Sequence, residues 1–440
     1  MSPIGWLGIF RLGLVQTALG AIVVLTTSTM NRVMVVELAL PAMLPGALVA
    51  IHHAVQLLRP RFGYGSDVGG RRTPWIVGGM AVLALGGTGA ALAIAWMESN
   101  ATAGVLLAIL SFVLIGIGTG AAGTSLLVLL AKRVDAARRA AAATIVWTMM
   151  IVGFIVTAAL AGHFLDPYSP QRLVAVTATT AAIAFVLTLV AVIGVERAGV
   201  PQQAPVASAT LPFRAALAQV WAEPQARRFT VFVFISMLAF SAQDLILEPF
   251  AGTVFGFTPG QSTQLSGVQN GGVLAGMLLV AFAASGRRRI GTLRAWTIGG
   301  CLASAAALVA LALGGLSPGW PLRANVFALG LANGAFAVAA IGSMMSLAGA
   351  GARGREGVRM GLWGAAQAIA FGIGGFAGTV ASDLAHALIG SPALAYASVF
   401  AVEGLLFVVA ARLAMTASAP AGERIRLHVP IPELAEPGPR

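Results

Sequence analysis

Long apolar runs alternate with short polar breaks along the whole chain, and this alternation sets the reading. Runs of about 18 to 25 apolar residues are long enough to cross the hydrocarbon core of a bilayer as helices. Such runs fall at 12–32, 38–58, 74–96, 103–130, 142–164, 173–194, 229–250, 264–285, 293–314, 322–348, 360–386 and 392–413. Residues 1–10, with Trp6 and Phe10, are expected to lie along the interface ahead of the first span. The longest polar interval between spans carries Pro201, Pro205, Pro212 and Pro224 and reads as a linker, with a short amphipathic helix at 213–221. The chain is therefore expected to divide into a six-helix bundle at 1–195, a linker at 196–228, a second six-helix bundle at 229–414 and a tail at 415–440. The fold class is an all-α, polytopic membrane protein.

Composition agrees with the pattern. Hydrophobic residues make up 58%, charged residues 10%, and the mean hydropathy is +0.89. Soluble domains carry about 25% charge. The net charge of +12 suggests nucleic acid, but its distribution rejects that partner. With the N-terminus in the cytoplasm, 24 of the 27 Lys and Arg fall on the cytoplasmic side, leaving Arg32, Arg172 and Arg323 outside. That bias places both termini in the cytoplasm and suits anionic lipid headgroups. The single cysteine, Cys301, excludes a disulfide framework and a cysteine-based metal site. No Walker-type phosphate loop and no nucleophile-base-orienter set stands in the sequence, so the chain is expected not to be an enzyme and not to be ATP-driven.

Landmarks recur at a nearly constant interval. Asn31-Arg32-Val-Met-Val-Val-Glu37 closes the first apolar run, and Gln243-Asp244-Leu-Ile-Leu-Glu248-Pro249-Phe250 closes the seventh, 212 residues on. Gly116-x-Gly118-x-Gly120 is answered by Gly330 and Gly334 at 214, and Trp147 by Trp363 at 216. The glycines read as points of close helix packing. Between the second and third spans lies Gly63-Tyr-Gly-Ser-Asp67-Val-Gly-Gly70-Arg71-Arg72, and Gly286-Arg287-Arg288-Arg289 occupies the corresponding place 216 residues later. In the first loop the glycines allow a tight turn, Asp67 is placed to cap the next helix or pair with an arginine, and Arg71 and Arg72 are expected at the headgroups.

Six plus six spans, this loop and the duplication resemble the major facilitator superfamily. Within it, Phe10-Arg11-Leu-Gly-Leu, the two polar edges and Val254-Phe255-Gly256 resemble the PucC/LhaA proteins, the bacteriochlorophyll-delivery branch. That resemblance implies an assembly factor for light-harvesting antennae in the bacterial inner, intracytoplasmic photosynthetic membrane. It implies bacteriochlorophyll as a cargo or bound cofactor. It also implies the light-harvesting α and β polypeptides as partners, with the reaction-centre core, pigment-synthesis enzymes and membrane lipids beside them.

The resemblance also frames the polar residues. The first span of each half lines the central cavity of that fold, so Asn31, Arg32, Glu37, Gln243, Asp244 and Glu248 are expected to form a polar clamp between halves, with Arg32 on Glu248 or Asp244. Solvated edge charges are the plainer alternative. His52 and His53, inside the second span, are either ligands for the magnesium of a chlorin or ordinary helix-contact histidines; at most one faces a given pigment. Glu403, near the middle of the last span, either meets a partner helix or is protonated and bonded to a backbone carbonyl. Two other functions stay open: a proton-coupled transporter of a small organic solute, and a pigment-free membrane scaffold.

Overall fold

A computed structural model of the chain describes residues 4–59, 71–135, 138–196, 218, 220–285, 290–350 and 356–417. Among the described residues there are twelve principal helices. The first half holds α1 (Trp6–Glu37), α2 (Met43–Leu58), α3 (Thr73–Met97), α4 (Ala101–Arg133), α5 (Arg139–Leu165) and α6 (Pro170–Val192). The second holds α7 (Pro224–Phe255), α8 (Pro259–Ser285), α9 (Leu293–Gly314), α10 (Leu322–Ala350), α11 (Glu356–Leu388) and α12 (Pro392–Ala417). Eleven are long and apolar enough to cross a membrane, and α2 is the short one. The chain is thus a multi-pass membrane protein.

Two boundaries differ from the apolar pattern for physical reasons. Trp6–Phe10 are the first turns of α1 and continuous with it. Arg11 extends its stem along the bundle and donates Nη2 to the carbonyls of Val190 and Ile193 at the end of α6, where a cation meets the negative end of a helix. At its other end α1 runs on to Glu37, so α2 begins only at Met43, after a break in which Ala39 has a φ of +50°.

Each half buries its own apolar core. One core gathers side chains from Ile9 to Val192 and is joined by Leu245 of α7, and the other gathers side chains from Phe229 to Ala417. The recurring glycines bring helix backbones together: a Cβ on Gly334 would lie 2.0 Å from the carbonyl oxygen of Val273 at the α10–α8 crossing. The repeated tryptophans differ in setting. Trp363 is buried against Phe229, whereas Trp147 is half-exposed.

The halves meet where α5 packs on α8, where α2 packs on α11, and where the outer part of α1 packs on α7 and α8. The last of these lies at the end of the bundle away from the two termini, termed the rim below.

The basic end carries an anchor that the sequence pattern did not single out. Gly63, Asp67 and Gly70 lie outside the described residues. Arg71 is exposed, but Arg72 is buried and turned inward, 3.9 Å from Glu196. The same Glu196 accepts the backbone N–H groups of Arg72 and Thr73, at 2.7 Å each. Among the described residues the carboxylate at the start of α3 is Glu196, from beyond α6, where it satisfies two amides and the positive helix end.

Candidate functional site

The rim is built from a helix that is locally over-wide. In α1, Leu25–Thr29 and Val33–Glu37 are two π-helical turns separated by Met30–Arg32. Such turns insert a residue into the i→i+4 ladder and recur at functional sites. The run Leu25-Thr-Thr-Ser-Thr29 favours the first, since Thr26 and Thr27 both bond back to the carbonyl of Val23. The consequence is that Ser28, Thr29, Asn31 and Arg32 all turn toward the second half.

Each then finds a partner there or beside it. Thr29 Oγ1 lies 2.8 Å from Thr263 Oγ1 of α8. Ser28 donates to Glu248 Oε1 of α7. Asn31 Nδ2 donates to the carbonyl of Leu245 at 2.7 Å. Pro249, four residues on, has no N–H to offer that carbonyl, so the proline opens the helix and the asparagine of the opposite half fills the gap.

Arg32 crosses differently from the expectation. Its carboxylate is Glu37, not Glu248 or Asp244. The π turn Val33–Glu37 widens the helix and lets an i,i+5 pair close, which an ordinary α-helical turn would not favour. Arg32 Nη2 reaches the second half through the carbonyl of Phe257 at 2.6 Å. That carbonyl is presented because α7 ends in a left-handed glycine, Gly256, with Phe257 N bonded back to Ala251 O and Gly256 N to Gly252 O. A Cβ on Gly252 would come within 3.1 Å of the Arg32 guanidinium, so the arginine lies directly on the glycine.

The other expected members sit elsewhere. Asp244 accepts from Gln269 Nε2 of α8 at 3.2 Å, inside its own half. Gln243 is fully buried, with neither amide atom bonded. Of the six clamp residues, Asn31, Arg32 and Glu248 bond between halves; Glu37 acts through Arg32, Asp244 bonds within the second half, and the Gln243 amide bonds to none of the described residues.

Sequence reasoning missed two further cross-half contacts. Asp166, after α5, accepts the Thr258 hydroxyl at 2.7 Å and the Gly260 amide at 3.2 Å at the start of α8. Asp383 of α11 accepts the amides of Ala42 and Met43 at 2.8 and 2.7 Å at the start of α2. Thr258-Pro259-Gly260-Gln261 is itself a capping box, with reciprocal bonds of 3.1 Å between Thr258 and Gln261. That signature was available in the sequence.

His52 and His53 separate cleanly. His52 is buried; its Nε2 lies 2.8 Å from the Gln56 amide, and its backbone carbonyl lies close to Gly116 of α4. His53 points across the seam to α11, 5.8 Å from the ring of Phe371, which in turn lies 5.8 Å from Phe240 of α7. Among the described residues the His53 imidazole makes no hydrogen bond.

Among the described residues Glu403 is bonded to no backbone carbonyl. It is 2% exposed inside the second half, with both carboxyl oxygens unbonded.

Comparison with known proteins agrees with this architecture. The model of the PUCC protein family matches residues 29–421. The chain is similar to the bacteriochlorophyll synthase 44.5 kDa chain of Rhodobacter capsulatus, 56% identical over 412 residues, covering 93% of this chain and 95% of that one. It is similar also to Protein PucC of Rhodobacter capsulatus, 30% identical over 434 residues, covering 92% and 91%. Among solved structures, the nucleoside transporter NupG matches with a TM-score of 0.68 at 16% identity, covering 93% of this chain and 99% of that one. The last likeness shows the major facilitator fold, and the sequence matches show that the chain belongs to the PUCC protein family.

Proposed function

We propose that the chain is a non-enzymatic assembly factor for light-harvesting complexes that binds bacteriochlorophyll and presents it to the antenna polypeptides within the membrane. Family membership supports the role in light-harvesting complex assembly. The single observation that carries the pigment reading is His53: an imidazole on one half that is unbonded among the described residues and faces Phe371 of the other, with Phe240 packed in turn on Phe371.

These residues fit the chemistry of a magnesium chlorin. A neutral imidazole is an available metal ligand, and aromatic rings pack well on a flat, polarisable ring system. Bound there, bacteriochlorophyll would supply a magnesium ion able to take a neutral nitrogen ligand and a wide apolar face. The protein would hold it by His53 from α2 and by the two phenylalanines of α11 and α7. His52 is committed to Gln56 and α4 and serves packing. Because the histidine and the rings belong to opposite halves, any shift of one half against the other changes the grip.

The test is absorption of the purified protein in mild detergent. Near-infrared bacteriochlorophyll bands that persist through size exclusion, are lost in His53→Leu and survive in His52→Leu are the expected result. Co-purification of antenna polypeptides without pigment would replace this reading by that of a scaffold. Conversion of a bacteriochlorophyll precursor by the purified protein would replace it by that of a synthase chain.

A further inference from the structure

Gln367 is the one polar side chain of α11 between Trp363 and Thr379. It stands one turn before Phe371, on the same side of the helix. On α7, Met237 likewise stands three residues before Phe240. The amide and the aromatic pair are therefore set between the same two helices: Gln367 Nε2 lies 3.8 Å from Met237 Sδ, and the Phe371 ring lies 5.8 Å from that of Phe240. Ser241 holds Phe371 in place, its hydroxyl donating to the Phe371 carbonyl at 2.7 Å. Beyond this level α7 and α11 close on each other. A Cβ on Gly374 would lie 2.6 Å from the carbonyl oxygen of Leu238, and one on Gly378 would lie 3.0 Å from the Ala242 side chain.

The amide is poorly satisfied where it is. A thioether sulfur is a weak acceptor, and among the described residues the Gln367 side chain makes no other hydrogen bond. An amide in apolar surroundings gains from a better acceptor. This one is open to a ligand. Gln367, Phe371, Phe240 and His53 are all half-buried, whereas Phe336, 6.4 Å from Phe240, is fully buried. The accessible part of the aromatic run is thus the part beside Gln367 and His53.

We propose, resting on the pigment reading of His53, that Gln367 is the specificity-determining residue of that site, its amide donating to a carbonyl at the edge of the bacteriochlorophyll macrocycle. Three chemistries then meet the pigment: an imidazole nitrogen for the metal, aromatic rings for the flat face and an amide N–H for the ring edge. A metal ligand and a stacked ring accept many tetrapyrroles and leave the macrocycle free to turn in its own plane. An edge contact stops that rotation and selects for macrocycles that carry the carbonyl, since a site that donates a hydrogen bond rejects an analogue with nothing to receive it. The exchange costs little. A carbonyl oxygen is a better acceptor than the thioether it replaces, and the released Met237 sulfur keeps its apolar contacts.

Vibrational spectra of bacteriochlorophyll a bound to the purified full-length protein in mild detergent test it, because a hydrogen-bonded carbonyl vibrates at lower frequency than a free one. The wild-type complex should show a ring carbonyl stretch lowered from its free position. Gln367→Met should return the stretch to the free position and weaken pigment binding about 3- to 10-fold, the worth of one neutral hydrogen bond. Gln367→Leu, read in parallel, gives the same answer if Gln367→Met does not fold. Met237→Leu conserves volume, removes the sulfur and leaves the donor, so it should keep the lowered stretch. A glutamine that merely packs α11 on α7 through that sulfur would make the Gln367 and Met237 replacements behave alike. A free carbonyl in the wild-type complex, a lowered stretch that survives the Gln367 replacements, or equal shifts on replacing Gln367 and Met237 overturns the role of Gln367 and leaves the pigment reading standing. No pigment bound to the wild-type protein overturns both.

Discussion

Asn31 of the first half donates to the backbone carbonyl of Leu245 in the second, the carbonyl that Pro249 leaves without its helical partner. The two changes should therefore be coupled. Asn31→Ala leaves a buried carbonyl unsatisfied and is expected to lower stability by about 1–3 kcal/mol. In a Pro249→Ala background the restored amide takes that carbonyl, and the same Asn31→Ala change should cost about 1 kcal/mol less. Thermal unfolding of the four proteins of this cycle measures the difference. Equal costs in both backgrounds would mean that the proline does not create the need for the asparagine.

Asp166 and Asp383 are 217 positions apart, and so are the amides they cap, Met43 and Gly260. Each acid reaches from the fifth helix of one half to the second helix of the other, so the duplication reproduces a contact and not merely a helix count. A carboxylate on a helix N-terminus contributes about 1 kcal/mol. Asp166→Ala and Asp383→Ala should each cost about that much. The two sites share no residue, so the double variant should cost their sum. Calorimetry in detergent reads this, and a strongly sub-additive double would show that the caps are not independent.

Much of the architecture was legible from the apolar pattern because spans are long and the bilayer is thick; α9 falls at 293–314 in both readings. The polar edges were legible as well, since charges such as Arg32 and Glu248 rarely sit in apolar runs. The pairing was not. It depends on two π turns in α1, and no local propensity announces an inserted residue in a helix whose hydroxyls bond back to their own carbonyls. Nor did the adjacent pair His52–His53 reveal which ring faces the seam, because that depends on the rotation of a short helix set by Gly116 on one side and Thr379, against Gly46, on the other. The Asp166 and Asp383 caps were hidden for a related reason: the acid and its helix lie about 100 and 340 residues apart.

Glycines at the seam make opposite predictions from glycines in open space. A Cβ on Gly260 would lie 2.2 Å from the carbonyl oxygen of Gly162 and 2.5 Å from the Asp166 carboxyl. Gly260→Ala should therefore force α5 and α8 apart, break the Asp166 cap and lower the melting temperature. Gly271, on the same helix, has nothing within 4 Å, and Gly271→Ala should stabilise by up to about 1 kcal/mol through helix propensity alone. Thermal unfolding of the two variants gives the sign of each.

At the rim the Arg32 fork is used on both sides: Nη1 on Glu37, Nη2 on the Phe257 carbonyl. A lysine offers a compact point charge with no such fork. Arg32→Lys should keep the pair with Glu37, lose the bond to Phe257 and so weaken the contact between halves more than the contact within α1. Arg32→Ala strands a carboxylate and a carbonyl together. Removal of one partner from a buried pair costs about 3–5 kcal/mol, and Glu37, being 33% exposed, brings the expected loss to the low end of that range. Adding Glu37→Ala to Arg32→Ala should recover part of it, because the orphaned charge is gone. Unfolding temperatures should rank wild type, Arg32→Lys, the double variant and Arg32→Ala in descending order. Antenna absorption in cells carrying each variant should follow the same order if closure of the rim is needed for assembly. A stable Arg32→Lys protein that supports no antenna would show that the cross-half bond to Phe257, rather than stability, is what assembly requires.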